Sequence, residues 1–210
     1  MSADLLIPES VFPYLVAQRG ALDDMRGDRD LWCRRYLEIL DSEMRLIEPY
    51  LPASCDAILD VGGGMGGIDA LLSRHYGGCH VTILDGLSDP PMMSKHSETF
   101  SNMGAASEFL KVNGVASFDF LDANSPDRPA SRLYELVVSF KSWCFHIEPQ
   151  RHLDFVLESV IPGQTKLILD VRKQPQHLEA EYMRALTQEF RHIGCIYRGT
   201  KFETHWFEAK

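Results

Sequence analysis

One stretch of the sequence, residues 58–72, constrains the fold more than any other. It begins with an apolar run, continues through five glycines and ends in apolar residues at helical spacing. An apolar run of this kind suits a buried strand, and glycines permit positive φ and close approach of backbone N–H groups. The positive end of the following helix points toward the loop. The pattern therefore predicts a strand, a glycine loop and a helix that together bind a nucleotide-like ligand.

Two glycine patterns fit this loop. Gly62, Gly64 and Gly67 satisfy the G-x-G-x-x-G pattern of dinucleotide binding, while Asp60 with Gly62, Gly64 and Gly66 satisfies the acidic-x-G-x-G-x-G pattern of S-adenosylmethionine (SAM) binding. Glycine spacing alone does not decide between them. Asp60 favours SAM, because a carboxylate can face the cationic amino group of a methionine moiety but repels a pyrophosphate.

Composition narrows the classes of protein. A chain of 210 residues with 45% hydrophobic residues suits one α/β domain with a modest appendage, and leaves little room for the second domain of a dehydrogenase. The net charge of −9 argues against a nucleic-acid partner, which would require a basic surface. We expect a small-molecule acceptor as the partner, and a homodimer is left open.

The positions of the cysteines and histidines indicate whether disulfides or a metal site are expected, and the lengths of the apolar runs indicate whether the chain crosses a membrane. The five cysteines are odd in number and far apart, and the histidines have no metal-binding spacing, so neither disulfides nor a metal site are predicted. No signal peptide and no apolar run of membrane-crossing length is present, so we expect a cytoplasmic protein without a membrane partner.

The order of the elements predicts two parts. Residues 1–54 are expected to form a helical cap, which covers the ligand pocket, packs on the sheet, or does both. Residues 55–210 are expected to form the ligand-binding domain, with strands at 58–61, 80–84, 115–121, 133–140 and 165–171. Two further β-rich runs, 193–198 and 202–207, predict a terminal hairpin.

Acids follow the second and third strands. Asp85, with Gly86 after it, lies about 20 residues beyond the glycine loop, where nucleotide folds place the acid that accepts from ribose hydroxyls. After the third strand, Asp122 could accept from an adenine amino group while the N–H of Ala123 reaches a ring nitrogen. At Asp85 the alternative is an acid that only opens a turn. At Asp122 the alternatives are Asp119 in the same role and a solvated loop acid.

With these pieces in order, the chain resembles the class I SAM-dependent methyltransferases over about residues 55–208. The matches are Ile58 to Gly66, Asp85, Asp122-Ala123, Glu135 to Ser139, and Ile161 to Gly163. The resemblance implies a Rossmann-like, mostly parallel sheet of seven strands in the order 3-2-1-4-5-7-6. It also implies SAM as the cofactor. The SAM-contacting residues are then Asp60, Gly62, Gly64, Gly66, Asp85, Gly86, Asp122, Ala123 and Ser139.

The segment from Ser139 to His146 follows the fourth strand, and in an open parallel sheet ligands lie outside the carboxyl ends of the strands. This segment is similar to that of sugar O-methyltransferase-like proteins of bacteria and their phages. His146 is the candidate general base, because its ordinary pKa suits proton removal from a hydroxyl. The alternative is a histidine that orders the loop or packs under the ligand. In the family a His-His-Ile-like motif often stands here, and Phe145 replaces its first histidine.

Four side chains are candidate substrate contacts, and one more is a candidate catalytic residue. Trp143 could stack on a sugar face or be buried, Arg172 and Lys173 could bind an anionic group or be surface charges, and His96 lies in the 86–101 loop, a candidate substrate wall. Lys141 could orient an acidic substrate or the donor's carboxylate, or be a solvated loop cation. The sequence therefore predicts a SAM-dependent O-methyltransferase of a small polar acceptor. Alternatives are N-methylation of a small molecule or protein, and a non-catalytic SAM-binding protein.

Overall fold

The computed structural model describes residues 4–18, 20–25, 27–86, 102–125, 132–173 and 176–210. Six α-helices lie within these residues: α1 (Phe12–Gln18), α2 (Arg29–Ile47), α3 (Gly67–His75), α4 (Met103–Val112), α5 (Gln150–Ser159) and α6 (Gln176–Glu189). The strands are β1 (Ala57–Val61), β2 (His80–Asp85), β3 (Phe118–Asp122), β4 (Leu136–Ser139), β5 (Lys166–Arg172), β6 (Phe190–Arg198) and β7 (Phe202–Ala209). Among the described residues, no helix combines the length and the apolar character that crossing a membrane requires.

The strands form one seven-stranded sheet in the order β3-β2-β1-β4-β5-β7-β6. The pairs β2–β3, β1–β4 and β4–β5 are parallel, while β7 runs antiparallel to both β5 and β6. The predicted fold class, including the strand order and the terminal hairpin, is thereby confirmed. The order reverses between β1 and β4, which is the place where open α/β sheets bind ligands.

The third strand begins later than the sequence predicted. Helix α4 ends at Val112, and Gly114 follows its C-cap with φ +83°. The N–H of Val115 donates to the carbonyl of Leu110 at 3.0 Å. Val115 therefore completes the end of the helix instead of entering the sheet, since this bond satisfies a terminal carbonyl of α4.

Two compact units can be distinguished, and the first consists of Met1–Arg45 with Gly63–Ser125. In it, the ring of Trp32 stacks on Tyr36 at 5.3 Å between centroids and takes an edge contact from Phe12 at 5.2 Å. Asn113 holds the chain before α1, because its side chain accepts from Leu6 N and donates to Leu6 O. The division at residue 54 into a cap and a ligand-binding domain stays a prediction.

The second unit consists of Leu46–Gly62 with Pro126–Lys210 and contains β1, β4, β5, β7 and β6. Every residue of β1 and β4 is buried, as is the whole of β5 except its two ends. Continuous burial explains why these strands are apolar runs in the sequence without polar alternation. The reversal of strand order between β1 and β4 lies inside this unit.

Candidate functional site

The glycine loop of the first unit is fastened to the end of β2. Gly64 and Gly66 have φ values of +61° and +76°, in the left-handed region that favours glycine. The N–H of Gly64 donates to Asp85 Oδ2 at 2.7 Å, and the N–H of Gly66 donates to the carbonyl of Gly63 at 3.0 Å. Gly66 also precedes the first residue of α3. Asp85 therefore sets the shape of the loop at the positive end of α3.

Asp85 is half-buried, and both of its carboxylate oxygens accept backbone N–H groups. Besides Gly64 N on Oδ2, Oδ1 accepts from the N–H of Gly86 at 2.6 Å. A carboxylate offers about four acceptor positions, so these two bonds are compatible with further ones. The ribose role of Asp85 and the cofactor role of Gly86 stay predictions.

Two side chains from the N-terminal helices pack against the glycine loop, and sequence reasoning missed both. A Cβ added at Gly64 would lie 2.9 Å from the amide atoms of Gln18, and one added at Gly67 would lie 2.2 Å from Tyr36 Oη. Helix α1 therefore contacts the loop, and helix α2 contacts the first residue of α3. No sequence motif marks Gln18 or Tyr36, since the contact depends on where the helices lie in the folded unit.

At the end of β3, the side chain of Asp122 accepts from the N–H of Asn124 at 2.9 Å and so opens a turn. The N–H of Ala123 donates to the carbonyl of Asp85 at 2.8 Å. This bond extends the pairing of β2 with β3, in which Asp85 and Asp122 are neighbours. The adenine contact that the sequence predicted for the N–H of Ala123 would require this bond to break.

In the second unit, the end of β1 has room only for glycine. Asp60 is 2% exposed, and Gly62 follows it with φ +81°. A Cβ at Gly62 would lie 1.7 Å from Ser142 Oγ and 2.3 Å from Ser142 Cβ. Ser142, which sequence reasoning did not single out, therefore packs its side chain against the backbone of the motif.

Ser139 connects the ends of β1 and β4. Its buried hydroxyl donates to the carbonyl of Val61 at 2.6 Å and accepts from the N–H of Trp143 at 2.9 Å. In this conformation the side chain of Ser139 positions the loop that follows β4 instead of facing outward. Its predicted contact with the cofactor could be made only through the backbone or after a change of conformation.

The loop after β4 is a tight and strained turn. The carbonyl of Ser142 accepts from the N–H groups of Phe145, His146 and Ile147, at 3.0, 2.8 and 3.1 Å. Lys141 and Cys144 have φ values of +56° and +68°, which non-glycine residues adopt rarely. Strain of this kind concentrates at functional sites, where the surrounding structure holds it in place.

The side chain of Trp143 packs beneath this turn in the protein interior. Its side chain is fully buried, and its Nε1 donates to the carbonyl of Pro149 at 2.9 Å. A ring without exposed surface offers no face to a sugar, so the predicted stacking of Trp143 on a substrate does not fit this conformation. The buried alternative agrees with the structure, because burial with a satisfied N–H is the common environment of tryptophan.

His146 projects from the same turn toward solvent, with its ring in edge contact with Phe145 at 4.6 Å between centroids. Loss of hydration lowers its pKa from the ordinary value of 6.5, and the positive charge of Arg172 lowers it further. Arg172 lies over the ring of Phe145, and its backbone N–H donates to the carbonyl of Cys144. A lowered pKa keeps the imidazole of His146 neutral at pH 7, the form that can accept a proton.

We expect the pKa of His146, measured by NMR titration of its ring protons, to lie below 6.5 and to rise in the variant Arg172→Gln. Removal of the cation stabilises the protonated imidazole, so the pKa increases, while the remaining loss of hydration holds it below 6.5. Arg191→Gln removes an exposed cation from β6 and should leave the titration unchanged. A pKa above 6.5 in the wild type, or an equal pKa in Arg172→Gln, would contradict this assignment.

The two predicted lysines both have partners in the second unit. Lys141 Nζ lies 5.5 Å from the ring centroid of Phe202, a cation–π contact. Lys173 Nζ donates to Glu203 Oε1 at 2.9 Å, and this hydrogen bond raises the pKa of Lys173. Arg172 and Lys173 follow one another at the end of β5, but the charge of Lys173 is paired with Glu203. His96 lies outside the described residues.

Several solved structures with a similar fold are methyltransferases. No family model and no curated protein sequence matches the chain. The N-methyltransferase NodS of Bradyrhizobium japonicum in complex with S-adenosyl-L-homocysteine has a TM-score of 0.58 and 15% identity, over 94% of this chain and 98% of that one. A methyltransferase of Pyrococcus furiosus has a TM-score of 0.57 and 16% identity, over 80% of this chain and 82% of that one. An O-methyltransferase family 2 protein of Planctomyces limnophilus, solved with apigenin, has a TM-score of 0.55 and 16% identity, over 84% of this chain and 60% of that one.

Proposed function

We propose that the chain transfers a methyl group from SAM to a hydroxyl group of a small polar acceptor, such as a sugar or a related metabolite. The observation that supports this most is the position of the glycine motif. The motif follows Asp60 at the carboxyl end of β1, beside the reversal of strand order, in a fold that is shared by solved methyltransferases. Ligands of open parallel sheets bind at this reversal.

SAM fits the residues at this end of the sheet better than a dinucleotide does. Asp60 supplies a negative charge that suits the amino group of a methionine moiety, and Gly64 and Gly66 add no side chains of their own to the loop. Asp85 fastens that loop and is the proposed ribose ligand. An antiparallel terminal hairpin, such as β6–β7, is unusual for folds that bind NAD.

Bound SAM supplies a methyl group that is already activated by the positive sulfur, so positioning supplies much of the acceleration. A hydroxyl acceptor must also lose its proton, and His146 is the proposed base. Its neutral state at pH 7 follows from the lowered pKa, and its ring is exposed to an incoming acceptor. Proton removal by a positioned base accelerates a reaction by a factor of roughly 10² to 10⁴.

The acceptor is proposed to be small and polar. Arg172, which lies beside the turn of His146, could hold an anionic group of the acceptor, and Lys141 lies on the same turn. The net charge of −9 disfavours a nucleic acid. An amino group is the second candidate acceptor, because the N-methyltransferase NodS shares this fold over 94% of the chain.

Calorimetric titration of the purified chain with SAM and with NAD tests the choice of cofactor. We expect SAM to bind at least about 100-fold more tightly than NAD, a difference of about 2.7 kcal/mol. NAD binding without SAM binding would overturn the proposal. Turnover is tested separately by measuring S-adenosyl-L-homocysteine release with a panel of sugars, other hydroxyl metabolites and amines. Binding of SAM without release for any acceptor would support a non-catalytic SAM-binding protein instead.

A further inference from the structure

A cluster of metal-ligating side chains lies on the β6–β7 hairpin, apart from the residues proposed for methyl transfer. One ligand atom each from Cys195, Glu203 and His205 lies within 4.8 Å of the other two. Cys195 is the direct cross-strand partner of His205, and Glu203 precedes His205 by two residues on β7. Residues two apart on a strand share a face, so all three side chains belong to one face of the hairpin.

Linear spacing gives no sign of this cluster, because two irregularities of β6 set its register against β7. The register shifts between Cys195 and Tyr197, which places Cys195 opposite His205, and again between His192 and Gly194. In a regular strand, residues three apart point to opposite faces, but the extra residue at the second of these shifts brings His192 and Cys195 to the same face. The sequence prediction of no metal site considered spacing along the chain and could not include this register.

The distances match the edges of a tetrahedral zinc site. Zn–N and Zn–O bonds of roughly 2.0 Å and Zn–S bonds of roughly 2.3 Å place an oxygen about 3.5 Å from a sulfur and about 3.3 Å from a nitrogen. Here Cys195 Sγ lies 3.6 Å from Glu203 Oε2, and His205 Nε2 lies 3.4 Å from the same oxygen. Two edges of the tetrahedron are therefore present before any ion binds.

His205 gives an independent indication of a ligand. Its side chain is 5% exposed, and its Nε2 is buried and faces Glu203 Oε2 without a hydrogen-bond partner among the described residues. Its other nitrogen, Nδ1, lies 3.1 Å from His192 Nε2 in a hydrogen bond. Metal-binding histidines characteristically use their second nitrogen in this way, which fixes the ring and directs the free lone pair at the ion.

Glu203 is oriented in the same manner. Lys173 Nζ donates to its Oε1 at 2.9 Å, and Oε2 faces the sulfur of Cys195 and the imidazole of His205. The side chain of Glu203 is nearly as buried as that of His205. Each of these two buried ligands thus has one atom held by a neighbour and one atom directed into the cluster.

We propose that Cys195, Glu203 and His205 bind one divalent transition-metal ion, with Zn²⁺ as the favoured occupant. Thiolate, imidazole and carboxylate together are typical of zinc, whereas Mg²⁺ and Ca²⁺ prefer oxygen ligands alone. Three protein ligands leave a fourth position, which a water molecule can fill from the side of the half-buried Cys195. The ion would cross-link β6 to β7, and the proposal does not depend on the methyltransferase function.

The test uses the full chain without a histidine tag, stripped of metal by a chelator and titrated with Co²⁺. We expect one Co²⁺ to bind per chain, with the charge-transfer absorption of a cobalt–thiolate bond, and Zn²⁺ to displace it. Cys195→Ser should lose this absorption and bind Zn²⁺ at least tenfold more weakly. Cys33→Ser, which alters a half-buried cysteine on α2, should retain both. Zn²⁺ should raise the melting temperature of the wild type but not of Cys195→Ser.

A second variant, His192→Gln, separates a loss of metal binding from a loss of folding. His192 is exposed, so its replacement should leave the circular dichroism spectrum unchanged. Because it orients His205 without touching the ion, the cobalt–thiolate absorption should remain while the Zn²⁺ affinity falls about 10- to 100-fold. Absence of the absorption in the wild type, or its persistence in Cys195→Ser, would overturn the proposal.

Discussion

The variant Gly62→Ala is expected to lose about 3 kcal/mol of unfolding free energy and to bind SAM at least tenfold more weakly. A left-handed φ costs an alanine roughly 1–2 kcal/mol, and overlap in a packed site costs roughly 1–3 kcal/mol more. The overlap arises because the added methyl group would meet both Oγ and Cβ of Ser142, so rotation of the hydroxyl alone cannot relieve it. Denaturant unfolding and calorimetric titration with SAM measure the two losses.

Two controls separate the backbone cost from the overlap. Gly163 also has a positive φ, +69°, but no atom of the described residues lies within 4 Å of a Cβ placed there. Gly163→Ala should therefore lose only roughly 1–2 kcal/mol and keep its SAM affinity. Introducing Ser142→Gly into Gly62→Ala should restore the part of the loss that comes from overlap. Equal losses in Gly62→Ala and Gly163→Ala would show that Ser142 does not restrict this position.

The central strands of the second unit were predictable from the sequence because they are buried on both faces, whereas the strand order followed from the resemblance to the class I SAM-dependent methyltransferases. Burial of β1, β4 and β5 requires apolar runs, and such runs are visible without an alignment. Strand ends were less predictable, since they depend on hydrogen bonds that the sequence does not show. The bond from Val115 N to Leu110 O, which withdraws Val115 from the sheet, is one example.

The candidate site was predictable only where backbone geometry restricts the residue type. Gly62, Gly64 and Gly66 stand out because their φ values exclude most other residues. Side chains that support them do not stand out, because Gln18 and Ser142 reach the motif from elements distant in sequence. The cluster of Cys195, Glu203 and His205 was hidden for a related reason, since a strand bulge changes which residues share a face.

The largest effect on catalysis is expected from His146→Ala, which should lower the rate of methyl transfer to a hydroxyl by 10²- to 10⁴-fold. The ring of His146 is exposed and makes its ring contact with Phe145, so its loss should not disturb the fold. The backbone N–H of residue 146 still donates to the carbonyl of Ser142 in the variant, which preserves the turn. SAM affinity, measured by calorimetry, should therefore change little while the rate falls.

The variant His146→Gln shows whether His146 acts as a base or only fills space beside the acceptor. Glutamine is close in size to histidine but accepts no proton at neutral pH. The variant should be as slow as His146→Ala with hydroxyl acceptors. A neutral amine attacks without prior loss of a proton, so transfer to any amine acceptor should be reduced far less in both variants. His75→Ala, which alters a half-buried histidine at the end of α3, serves as the matched control and should keep the wild-type rate. Wild-type rates in His146→Gln would exclude His146 as the base and leave proton removal to solvent or to the acceptor itself.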